Sequence, residues 1–78
     1  MDELLSIGRF ARLSGLTVKA LRHYHEVGLL VPADVDSETG YRRYRADQIG
    51  RAQAIARLRG LELSLDDVDA VLAGGGDV

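Results

Sequence analysis

Ser14-Gly15-Leu16-Thr17-Val18-Lys19-Ala20-Leu21-Arg22-His23-Tyr24 carries a stop, a turn and a restart within one short stretch. Gly15 ends a helix by supplying the left-handed residue that other side chains resist. Thr17 then starts the next, because its hydroxyl can accept a backbone N–H that the first helical turn leaves unpaired. Leu16 before the cap and Leu21 four residues after it have the spacing of a hydrophobic staple, which fixes the angle between the two segments. Upstream, Ser6 followed by Ile7, Phe10 and Ala11 predicts another cap and an apolar stripe over about two turns. Downstream, the second helix runs to about Val27, and Gly28 is its left-handed stop. Helix, tight turn, helix over residues 7–27 is the helix-turn-helix outline.

The rest of the chain is arranged around that unit. Pro32, the only proline, interrupts regular structure soon after the second helix. Leu29-Leu30-Val31 and Tyr41-Arg42-Arg43-Tyr44 read as short strands joined by a polar loop from Asp34 to Gly40, a wing over residues 29–44. Residues 46–73 predict two more helices. The third has Ile49, Ala52 and Ala56 spaced three or four apart, with Leu58–Arg59 as a further candidate for the stripe, and ends at Gly60. The fourth starts at Ser64, which with Asp67 resembles a capping box, and buries Leu65, Val68, Val71 and Leu72. Asp66, Asp67 and Asp69 suit the positive end of its dipole. Residues 74–78 read as a Gly-rich tail. The fold expected is mainly α: a winged helix-turn-helix of four helices with a small β-hairpin wing.

Seventy-eight residues allow one small domain with a thin core, and the 46% apolar fraction is that of a folded chain. Cysteine is absent, which removes disulfides, thiol catalysis and cysteine-ligated metals from consideration. The acidic start and the lack of any apolar run near ~18 residues argue against a signal peptide or membrane span, so a cytoplasmic protein is expected. The net charge of −2 conceals a polarity. Residues 9–59 hold all ten Lys/Arg against five acids, a local charge of +5, whereas residues 61–78 hold five acids and no base. A basic segment beside an acidic one is compatible with nucleic acid as partner.

Lys19, Arg22 and His23 fall at i, i+3 and i+4 on one helical face, able to present charge to phosphates and reach base edges. A solvated amphipathic face explains the same pattern, and for this helix alone is the simpler account. In the wing, alternation puts Tyr41 and Arg43 on one side and Arg42 and Tyr44 on the other, so one pair faces the domain. Tyr44 as a core ring and Tyr44 as a contact are equally open. Arg57 and Arg59 at the end of the third helix suit its dipole, or a third basic patch. His23 and His25 point about 200° apart on a helix and do not chelate one ion. No Ser/His/Asp constellation exists, and glycines 74–76 lack the lysine and following helix of a phosphate loop. No enzyme, metal or cofactor is expected.

The ordered elements Ser6-Ile7-Gly8-Arg9-Phe10-Ala11, Gly15 to Tyr24, Gly28-Leu29-Leu30, Gly40-Tyr41-Arg42-Arg43-Tyr44 and Leu63-Ser64-Leu65-Asp66-Asp67 resemble the DNA-binding domain of the MerR family of bacterial transcription regulators. The resemblance covers roughly residues 4–73. It implies a second helix in the major groove, the hairpin as a first wing, and the third and fourth helices as a second. By position it implies that Val18, Lys19, Arg22, His23 and Tyr24 belong to the recognition helix, Tyr41 and Arg42 to the phosphate-holding wing, and Arg59 to a phosphate contact. It also implies double-stranded promoter DNA as partner, RNA polymerase indirectly, and distortion of a long promoter spacer by a dimer. Three residues depart from the family pattern: His23 at a usual aromatic, Arg45 at a usual Ser/Thr cap, and Glu62 at a usual glycine. The long dimerisation helix and effector domain are absent from these 78 residues, so the chain is expected to be a piece of a longer regulator and monomeric by itself. The competing reading is an excisionase-like architectural DNA binder or a protein-interaction module on the same wing. A coiled-coil heptad continuing past residue 78 favours the regulator, and a native stop there favours the competitor.

Overall fold

Hydroxyl side chains open three of the helices. In the computed structural model, which describes residues 3–74, Ser6 Oγ accepts the Arg9 N–H at 3.2 Å, Thr17 Oγ1 the Ala20 N–H at 3.0 Å, and Ser64 Oγ the Asp67 N–H at 3.1 Å. These caps start α1 (Ile7–Ser14), α2 (Val18–Glu26) and α4 (Leu65–Gly74). Between α1 and α2, Gly15 sits at φ +80° and its N–H donates to the Ala11 carbonyl at 3.0 Å. The helix-turn-helix thus forms from bonds within a few residues. The fourth helix extends through Gly74, one residue beyond the expected stop, and the remainder of the tail lies outside the described residues.

The third helix begins differently, because Arg45 has no hydroxyl or carboxylate to cap with. A 3₁₀ turn, Ala46–Gln48, leads into α3 (Ile49–Gly60). Gln48 Oε1 reaches back to accept the Arg45 N–H at 2.8 Å. The Arg45–Asp47 ion pair at 3.1 Å is about half exposed on both sides, so it contributes little.

The sheet corrects the sequence reading. It has three strands rather than two, in the order β1-β3-β2, all antiparallel: β1 (Leu4–Ser6), β2 (Asp34–Val35) and β3 (Arg42–Arg45). Leu29-Leu30-Val31 is not a strand. Gly28, at φ +76°, turns the chain so that the Leu29 and Leu30 N–H groups both donate to the Tyr24 carbonyl, at 2.8 and 3.2 Å. Both leucines enter the core, which strand alternation forbids for neighbours. The carbonyls left over find side chains from the α3 region: Arg51 Nε donates to Leu29 O at 3.1 Å and Gln48 Nε2 to Val31 O at 2.6 Å. The segment is a helix cap and a core plug, and the wing's first strand comes only at Asp34.

The core lies between the four helices and one face of the sheet. Leu5, Phe10, Ala11, Leu21, Tyr24, Leu29, Leu30, Tyr44, Ala52, Ile55 and Val68 are buried. Leu5 pairs with Tyr44 across β1 and β3, so two inward side chains stand side by side. Ile55, absent from the expected stripe of the third helix, is fully buried, while Ala56 is half-buried. Val71, expected in the stripe of α4, is 46% exposed.

Tyr44 settles which face of the wing looks inward. Its ring stacks on Phe10 with centroids 4.3 Å apart and planes 13° from parallel. Its hydroxyl is buried and has no hydrogen-bond partner among the described residues. Burial raises the phenol's pKa, with Arg42 pulling the other way. Tyr44→Phe keeps the stack and removes the unpaired hydroxyl, so a urea melt should show stability unchanged or raised by about 1 kcal/mol. A clear loss in that melt would mean the hydroxyl is paired in solution.

Candidate nucleic-acid interface

The exposed side of α2 is cationic for a packing reason. Leu21 and Tyr24 face the core, and Val18 and Ala20 pack half-buried against it, which leaves Lys19, Arg22 and His23 in solvent. Those three, with Glu26, line a shallow depression along the helix. At one end, Arg22 also lines a depression of about 270 Å³ with Ser6, Ile7, Gly40, Tyr41, Arg42 and Arg43, where α1, α2 and the wing meet. At the other, Lys19, His23 and Tyr24 line a groove with Thr17, Ala20, Arg59 and Leu65. A continuous surface therefore joins Lys19, Arg22, His23, Tyr41, Arg42 and Arg59 across α2, the wing and α3.

The sequence-predicted residues do not stand in it equally. Tyr41 is 70% exposed beside β3. Tyr24 is 6% exposed, a core ring that also lines the groove. Val18 is half-buried at the start of α2. Arg59 is engaged by the turn between α3 and α4, where its Nη1 donates to the Leu63 carbonyl at 2.6 Å. That turn adopts a glycine-like geometry without glycine: Glu62 has φ +65°, and its N–H donates to Arg59 O at 2.9 Å. The left-handed conformation costs a residue with a Cβ about 1 kcal/mol. The Arg59 clip and the buried Val68 beyond it hold the turn in place.

Arg42 is half-buried because it shares the inward face of β3 with Tyr44. Its Nε donates to His25 Nδ1 in the last turn of α2 at 2.9 Å. Sequence reading missed this pairing: the two residues are 17 positions apart, and nothing local marks one as the other's partner. It also missed Ser6, Ile7, Gly40 and Arg43 as neighbours of Arg22 and Arg42.

The wing tip is knitted around one carboxylate. Asp36 Oδ1 accepts the Glu38 and Thr39 N–H groups at 2.8 and 2.9 Å, and the Asp36 carbonyl accepts the Gly40 N–H at 2.8 Å. The Thr39 and then the Glu38 backbone bonds hold the Asp36 carboxyl below its ordinary value of 3.8. The charged form is the bonded form, so the loop's stability is complete above pH 3.8 and is lost as pH falls through the lower folded value. On acidification the amide resonances of Glu38 and Thr39 should move together with a single midpoint below 3.8. Asp36→Asn should abolish that titration, and separate midpoints would mean that a different group controls the loop.

Among the described residues, no helix is long and apolar enough to cross a membrane. The family model of the MerR HTH family regulatory proteins matches residues 5–75. The chain is 40% identical over 72 residues to the transcriptional regulator BrlR of Pseudomonas aeruginosa, covering 92% of this chain and 27% of that protein. It is 38% identical over 73 residues to the HTH-type transcriptional regulator CueR of Vibrio cholerae, covering 94% of this chain and 52% of that one. Among solved structures, EcmrR in a DNA complex matches with a TM-score of 0.78 at 34% identity, over 94% of this chain and 27% of that one. The chain thus spans between about a quarter and about half the length of these relatives. With four α-helices and a small antiparallel sheet among its described residues and a match over nearly its whole length, this chain belongs to the MerR helix-turn-helix family of regulatory proteins.

Proposed function

We propose that this chain is the sequence-specific DNA-binding domain of a transcription regulator that binds and distorts promoter operator DNA. The observation that carries the reading is the convergence of Lys19, Arg22 and His23 on the outer side of α2 with Tyr41 and Arg42 at one end and Arg59 at the other. A solvated helix face needs no such continuation into the wing. In this reading α2 enters the major groove, where Lys19 and the adjacent Val18, at the helix start, meet base edges. Arg22, Tyr41, Arg42 and Arg59 hold backbone phosphates on either side. Tyr24 packs in the core behind α2 and lines the groove beside Lys19 and His23, where its hydroxyl is the group suited to a phosphate. The likeness of fold to EcmrR, whose structure was solved in a DNA complex, supports the same reading.

The longer regulator implied by the relatives would act as a dimer in the cytoplasm, bending and untwisting a promoter so that RNA polymerase engages both of its elements. Such distortion draws on phosphate contacts rather than base contacts alone.

The test uses a duplex enriched from a random-sequence pool by the chain itself, beside an unrelated duplex. Arg42→Ala should weaken both by similar factors and lower the magnitude of the log–log salt slope by about one. Loss of discrimination with unchanged affinity for the unrelated duplex would make Arg42 a base reader. Absence of salt-dependent binding to either duplex would overturn the DNA-binding reading and leave a protein-interaction module.

A further inference from the structure

The bond between α2 and the wing gives His25 a task that its place off the exposed face of α2 does not suggest. We propose that His25 is a positioning residue for Arg42, holding its guanidinium in the orientation that receives one backbone phosphate. The inference rests on the DNA-binding reading and deepens it.

The chemistry is specific to the atoms paired. Arg42 Nε donates to His25 Nδ1 at 2.9 Å, so that ring nitrogen serves as the acceptor of the bond. A guanidinium is planar and rigid, so fixing the direction of Nε–H fixes the plane in which the Nη1 and Nη2 hydrogens lie. Using Nε for His25 leaves that fork over. Among the described residues the Arg42 side chain makes no other hydrogen bond and no ion pair, and it lines the depression shared with Arg22 and Tyr41. A forked donor beside a second guanidinium and a phenol is suited to a phosphate's oxygens. Arg42 stands on the half-buried inward side of β3, in register with Val35 of β2. Its stem is confined there, and the His25 bond orders the head. A free arginine would lose that rotamer freedom on binding; here the loss has already occurred in folding.

The location adds a link between the two DNA-facing elements. His25 is the penultimate residue of α2, whose other side chains would read sequence, and Arg42 belongs to the wing. One bond therefore ties the orientation of the reading helix to that of the phosphate anchor. It spans the gap without α2 and the wing sharing any strand pairing.

Two readouts test this, one without DNA and one with it. In the free 78-residue chain, the Arg42 Nε–Hε resonance should be resolved and protected from exchange at neutral pH. His25→Ala should abolish the protection, and His25→Asn, whose Oδ1 stands near the place of Nδ1, should restore it. On an unrelated duplex, His25→Ala should weaken binding roughly two- to tenfold, the range expected for releasing one ordered long side chain. His25→Asn should recover most of that loss, and His25→Ala should add nothing once Arg42 is alanine. Recovery by Asn separates positioning from mere helix stability, which Asn does not improve. Thermal melts of the same variants confirm that each is folded at the assay temperature. An unprotected Nε–Hε in the original chain, or equal affinity for His25→Ala and the original, overturns the inference while leaving DNA binding intact. A chain that binds no duplex overturns both.

Discussion

Joining two copies of this domain through a dimerising antiparallel coiled coil, in place of residues 75–78, should tighten binding to a two-fold operator by about 10²–10⁴. The effect is one of effective concentration: once one copy is seated, the second meets its half-site locally rather than from bulk solution. The single domain is expected to offer, among its described residues, no surface that would do this by itself. Its apolar stripes are committed to one thin core, with Phe10, Leu21, Ala52 and Val68 fully buried and Ile7, Ile49, Leu65 and Leu72 packed around them. On α4 that leaves Val71, 46% exposed, and in the preceding turn Leu61, 71% exposed. The other exposed large apolar side chains among the described residues, Leu4, Leu13, Val27, Val31, Val35 and Tyr41, are divided among β1, α1, the end of α2 with the segment after it, and the wing, whereas a stable interface needs ~1,000 Å² or more of joined surface. The 78-residue chain should therefore sediment as a monomer at micromolar concentration. A stable dimer, with no gain from the fusion, would falsify this expectation and place an interface within the domain. An unchanged preference for sequence in the fused protein would place discrimination within the domain rather than in the linkage.

Phe10→Ala should remove a large part of the domain's stability, a loss of about 3–5 kcal/mol in a denaturant melt. Phe10 is fully buried, and its ring lies flat against Tyr44 at 4.3 Å. Truncation leaves a cavity and also strips one face of the Tyr44 ring, whose hydroxyl already lacks a partner among the described residues. At ~0.05–0.15 kcal/mol per residue, a domain this size has only a few kcal/mol to about 12 to lose. Since Phe10 stands on α1 and Tyr44 on β3, the same substitution should loosen the wing before the helix-turn-helix. A milder Phe10→Leu keeps the domain folded and lets the wing be followed on its own. A loss below about 1 kcal/mol for Phe10→Ala would mean that the site collapses to fill the space.

The positions of these two effects reflect how differently the parts of the molecule are encoded. Where α1, α2 and α4 begin was legible in Ser6, Thr17 and Ser64, and the turn between the first two in Gly15. Each is a bond between residues three or four apart, so both partners fall within one short stretch of sequence. The same locality made the cationic face of α2 legible, because i, i+3 and i+4 are neighbours on any helix. Glu62 shows the limit even for local signals. It occupies a left-handed turn that its type disfavours, because a carbonyl clip from Arg59 and the packing of Val68 hold it there.

What the tertiary structure alone decided are the pairings between distant segments. β1 is three residues long and carries no pattern of its own; it is a strand because β3 lies beside it with Tyr44 opposite Leu5. Leu29-Leu30-Val31 has the composition of a strand and is none, because the Tyr24 carbonyl and the Arg51 and Gln48 side chains take up its hydrogen bonds. Alternation left Tyr41/Arg43 and Arg42/Tyr44 as rival inward pairs, and the ring of Phe10 chose Tyr44. That choice carried Arg42 inward to meet His25. Sequence by itself thus determined the helices, their caps and the chemistry of one face, whose energies are local. Which strand is central, which wing face is buried and which arginine is held depend on contacts that exist only once the core has closed, since each requires two segments far apart in the chain to be in place together.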